Sequence, residues 1–134
     1  MLRRNRQTQQ KTRGYRVKKG GAKDELIDRQ VLAIHVAMVD KLLKHPELHQ
    51  QVFDTLEARL AQGKLRYGGY MTWFSLMDII DQPTLFRQGV LEDSPRMKKL
   101  RRSTPLVGIL TEAERQEALN KAACGAVDID NLLY

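Results

Sequence analysis

The stretch Asp24–His45, "DELIDRQVLAIHVAMVDKLLKH", carries apolar side chains at Ile27, Val31, Ile34, Met38 and Leu42, with Leu32, Val39 and Leu43 beside them. Steps of three and four put these residues on one broad stripe of an α-helix. Asp24 and Glu25 stand where a helix N-terminus favours negative charge. Pro46 ends the helix after His45, and a proline is also a good first residue for the next one. A long helix with so wide an apolar face needs other helices to cover it.

The chain downstream supplies them. "PELHQQVFDTLEARLAQG" (46–63) spaces Leu48, Val52, Leu56 and Leu60 four apart, with Phe53 alongside, and Gly63 is the expected stop. "KLRYGG" (64–69) reads as a loop, and "TWFSLMDIID" (72–81) as a short apolar helix with Thr72 as its N-cap. Asp81 with Pro83, and Ser94 with Pro95, open two further short helices, "PTLFRQGVLE" and "PRMKKLRRS". The second must finish before Pro105. "LVGIL" (106–110) fits an extended segment or a plain apolar connector. Thr111 and Glu114 form a capping box in front of "EAERQEALNKAAC", which Gly125 is expected to close. "AVDIDNLLY" (126–134) fits either a docked extended segment or a last helical turn. The expectation is all-α: one small domain over residues 23–134, with five or six helices, two long and the rest short.

Upstream of this domain the composition changes. Residues 1–22 hold Arg3, Arg4, Arg6, Lys11, Arg13, Arg16, Lys18 and Lys19, which are eight of the 23 lysines and arginines, and none of the 16 acids. The rest of the chain carries 15 basic against 16 acidic residues, so this segment's charge of +8 accounts for the whole excess behind the net +7. Beyond Met1, its apolar or aromatic residues are Leu2, Tyr15, Val17 and Ala22. They bury too little to offset the entropy of ordering, so the segment is expected to be a disordered basic arm, hinged at Gly20 and Gly21.

The 134 residues suit a single core. Cys124 is the one cysteine, so no intrachain disulfide forms, which fits a reducing compartment. No apolar run is long enough for a bilayer, and no apolar segment follows the basic start as in a secretory signal. Cytoplasm is the expected location, with no membrane partner.

Catalytic and metal signatures are weak. His45 and His49 are four apart, but Pro46 stands where a zinc-protease helix carries its glutamate, and no third histidine follows nearby. His35 lies within the apolar run of the first helix and reads as a core or interface histidine. Cys124 has no legible base or oxyanion site and sits at an expected helix end; it reads as a small buried or half-buried residue. Asp128, Asp130 and Asn131 lack the glycine and glutamate of a calcium loop. Nor is "RYGGY" a phosphate loop, since no strand precedes it. A helix–turn–helix over 83–102 with Gly89 at the turn would need a small residue at Leu85 and an apolar one at Pro95, and the chain has neither. The expectation is a non-enzyme with no cofactor and no metal.

Two constellations remain. In "RYGGYMTWF" (66–74), Trp73 and Phe74 are expected in the core, while Arg66, Tyr67 and Tyr70 surround the glycines and could stack on bases. In "RMKKLRR" (96–102), Met97 and Leu100 form a narrow seam, with Arg96, Lys98, Lys99, Arg101 and Arg102 around the rest of the circumference. With the arm, this makes a nucleic acid, RNA or DNA, the expected partner, gripped by phosphate contacts within a nucleoprotein particle. The alternative is an adaptor whose basic arm and helix engage an acidic protein surface. The wide stripe of the first helix would also suit a homodimer seam.

Overall fold

A computed structural model describes residues 21–133, with side chains to residue 124. The basic residues Arg3 to Lys19 and the expected disorder of the arm lie outside the described residues. Among those described, the chain is all α-helical: α1 (Gly21–Lys44), a 3-10 turn (Pro46–Leu48), α2 (His49–Ala61), α3 (Tyr67–Asp78), α4 (Pro83–Val90), α5 (Pro95–Arg102) and α6 (Glu112–Leu133). No helix among them is long and apolar enough to cross a membrane.

The periodic stripe of α1 organises the fold. Its residues His35, Met38, Val39 and Leu42 are buried, and the helix touches α4, α5, α6 and the 3-10 turn. Helix α2 packs on α3, and α3 on α4. These helices meet in a core that includes Val39, Leu42, Val52, Leu56, Trp73, Met77, Phe86, Val90, Met97, Leu106 and Ile109. Residues 103–111, including "LVGIL", are turns that drop Pro105, Leu106 and Ile109 into this core.

Local chemistry sets most boundaries. Pro83 and Pro95 start α4 and α5, and the Ser94 hydroxyl accepts the Met97 amide at 3.2 Å. At Thr111 the box closes both ways: Glu114 Oε1 accepts the Thr111 amide at 2.8 Å and Thr111 Oγ1 accepts the Glu114 amide at 3.1 Å. Gly63 ends α2 by turning to φ 71°, with the Lys64 amide donating to the Arg59 carbonyl at 2.9 Å.

Three boundaries differ from expectation. Helix α1 begins at Gly21, whose φ of 46° keeps it a turn residue at the helix edge, and Ala22 belongs to the helix rather than to the arm; Ala22 and Lys23 are good helix formers and extend the helix ahead of Asp24. Helix α3 begins at Tyr67 and takes in the glycines expected in a loop. Helix α6 runs through Gly125 to Leu133, because glycine weakens a helix but stops it only where the backbone turns to positive φ. The expected stop there is corrected, and 126–133 is helical.

Candidate nucleic-acid interface

Helix α5 sorts its five cations by direction. The seam is wider than Met97 and Leu100: Arg101, four residues after Met97, is only 3% exposed. Arg101 is therefore buried rather than on the solvent-facing circumference expected for it. Its Nη1 donates to the Val90 carbonyl at 2.8 Å and the Glu92 carbonyl at 3.0 Å, closing the C-terminal end of α4. Burial lowers its pKa, and Asp28, Asp93 and Glu92 oppose that shift. The charge is retained and faces helix-end carbonyls, where a cation is favoured. The clue available in the sequence was the i, i+4 spacing from Met97.

On the side facing α1 the cations meet acids. Arg102 Nε donates to Asp28 Oδ1 at 2.9 Å, and its Nη2 lies 2.8 Å from the same carboxylate and 3.6 Å from that of Asp24. The Asp28 hydrogen bond raises the Arg102 pKa. Lys98 lies 3.3 Å from Asp93. Exposed pairs of this kind add little stability, but they compensate the cations locally.

On the side facing α3 the cations meet neutral groups. Arg96 Nη2 donates to Thr72 Oγ1 at 2.7 Å and to the Gly68 carbonyl at 3.4 Å. Lys99 is exposed and has no acidic partner among the described residues, and the same holds for Arg66, which precedes the first turn of α3. The two constellations that are about thirty positions apart in sequence therefore adjoin. Gly69 lies at this contact: a Cβ there would be tight, 3.3 Å from Leu100 Cδ2 and 3.3 Å from Leu65 Cδ1. Thr72 was expected to cap a helix start; instead it lies within α3, and its hydroxyl donates back to the Gly68 carbonyl at 2.9 Å.

Aromatic rings lead from this edge into the core. Tyr67 is 66% exposed and stacks on Tyr70 with centroids 6.1 Å apart and an interplanar angle of 26°. Tyr70 contacts Phe74 at 5.8 Å, and Phe74 meets Phe53 edge-on at 5.3 Å. Tyr70 is half-buried, and its hydroxyl donates to Glu57, which raises the phenol's pKa. Trp73 is buried, as expected, and Phe74 is half-buried against the core.

The remaining chemistry-bearing residues turn to separate partners. His45 Nδ1 lies 3.0 Å from Glu47, while His49 Nε2 lies 2.7 Å from the Leu42 carbonyl. Among the described residues, no three histidine, cysteine or acidic side chains gather as a metal site. His35 is buried; its Nδ1 donates to the Val31 carbonyl at 2.8 Å, since a carbonyl only accepts, and the ring stacks 6.2 Å from Trp73. Cys124 is exposed and lies within α6, not buried at a helix end as expected. The side chains of Asp128, Asp130 and Asn131 lie outside those described. In comparison with known proteins, no family model, curated protein or solved structure matches this chain.

Proposed function

We propose that this protein is a non-enzymatic nucleic-acid-binding protein, an accessory component of a nucleoprotein particle, that grips phosphates with its basic N-terminal segment and with Arg66, Arg96 and Lys99. The observation that carries this reading is charge segregation: eight cations and no acid in residues 1–22, against 15 basic and 16 acidic residues elsewhere. Within α5 and the turn before α3, the same logic sorts the cations. Arg101 is buried and Arg102 and Lys98 are matched by acids, whereas Arg96, Lys99 and Arg66 have no acidic partner among the described residues. Phosphate contacts of this type supply affinity and orientation without reading sequence.

A second reading, an adaptor for an acidic protein surface, is favoured by the near-neutral balance of the chain beyond residue 22, 15 basic against 16 acidic residues, and by the acid pairing of Arg102 and Lys98. Fluorescence anisotropy with labelled single-stranded and duplex oligonucleotides at low salt separates the two. Binding that weakens steeply with added salt supports the nucleic-acid reading, and no binding to either oligonucleotide favours the adaptor.

A further inference from the structure

We infer that the exposed face of Tyr67 is a base-stacking site that takes unpaired nucleotides, with Arg66, Arg96 and Lys99 holding the phosphates on either side. The inference rests on the nucleic-acid reading and narrows it to single strands or unpaired loops.

A stacking platform needs an open aromatic face, a fixed ring and nearby positive charge. Tyr67 has the open face, with 66% of its surface exposed. Its ring is braced by contacts that run Tyr70, Phe74, Phe53 into the half-buried and buried apolar residues of α2 and α3. The Tyr70 hydroxyl is itself tied to Glu57, so the ring behind Tyr67 is held at both ends. Tyr70 backs one face of Tyr67 and leaves the other face open to a base.

The surroundings suit a polyanion. Arg66 directly precedes Tyr67, and Arg96 lies across the first turn of α3, bonded to Gly68 and Thr72. A Cβ at Gly68 would have nothing within 4 Å, so the space at that position beside the ring is open. Glu57 touches the ring series at Tyr70, not at Tyr67. A duplex keeps its bases stacked inside and offers this site only backbone, whereas an unpaired base has a free π-face. Tyr67 therefore distinguishes the two forms, while the cations do not.

The test is anisotropy titration of the full chain with single-stranded and duplex oligonucleotides of about 20 nucleotides in about 50 mM salt. Tyr67→Ala is expected to weaken single-strand binding by roughly 5- to 150-fold and to leave duplex binding within about twofold. Tyr67→Phe keeps the ring and is expected to bind as the parent does. Unchanged Trp73 emission verifies that each variant is folded. Equal losses on both forms, or no loss on either, overturn the stacking site while leaving the phosphate reading intact. If the parent protein binds neither oligonucleotide, both readings fall together.

Discussion

Arg101 closes the end of α4 by donating from Nη1 to the carbonyl of Val90, the last residue of that helix, at 2.8 Å. A second bond to Glu92 fixes the turn that leads into α5, so one guanidinium joins two helices. Its role is structural, and its loss should be felt as stability. Arg101→Ala leaves buried carbonyls without a donor and a gap beside Met97, and is expected to cost about 2–4 kcal/mol in chemical denaturation. Arg101→Lys should recover only part of this, because an ammonium lacks the forked geometry. Arg102→Ala removes an exposed pair and should cost far less.

Two helical glycines should respond in opposite directions to alanine. At Gly89 a Cβ would stand 2.3 Å from Leu76 Cδ2, so α3 and α4 must separate or Leu76 must change rotamer. Gly89→Ala should therefore destabilise by about 1–3 kcal/mol despite alanine's higher helix propensity. Gly68 has open space around it, and Gly68→Ala should stabilise by up to about 1 kcal/mol. Urea midpoints at constant m-value measure both.

The buried His35 predicts an acid-sensitive fold. Burial is the main cause that lowers its pKa from 6.5 to about 4. Between those values the unfolded chain binds the proton more readily than the folded one, so stability rises with pH across this window. Falling from pH 6.5 through 4, the protein should lose about 3 kcal/mol from this residue, the loss levelling off once pH is well below 4. Glu114 acts lower: its bonds from Lys41 and Thr111 hold its pKa near 2 instead of 4.5. Its contribution is present above pH 4.5 and is lost as pH falls toward 2. In thermal melts, His35→Gln should flatten the upper part of this profile and leave the lower part in place.

Trp73 and Tyr67 should separate stability from affinity. Trp73 is 1% exposed, so its emission should be blue-shifted, and Trp73→Ala should cost about 3–5 kcal/mol. Tyr67→Ala should leave the thermal midpoint within a few degrees, as its ring is largely in solvent. Emission like that of free indole in the native state would contradict the packing of α3.

What the sequence disclosed depended on range. Pro83, Pro95, Gly63 and the Thr111–Glu114 box act within one helical turn, and they mark their boundaries in the structure as in the sequence. The start of α3 was hidden because Gly68 and Gly69 read locally as breakers, while Gly69 lies at the contact with Leu100 of another helix. Arg102 has acids within reach only because α1 returns Asp28 to it across 74 positions. Likewise, a run of five cations cannot by itself tell which one is buried. The composition of residues 1–22 was legible throughout, since it needs no fold to interpret it.

The most direct test of the central claim is the salt dependence of duplex binding by the full chain. About six phosphate contacts would give a log–log slope near −5. Arg96→Ala with Lys99→Ala should reduce its magnitude by about two units, while Lys98→Ala with Arg102→Ala should change it by less than about one. Replacing the eight basic residues of the N-terminal segment by serine should remove most of what remains. A slope indifferent to that replacement, or no binding at low salt, would contradict the account.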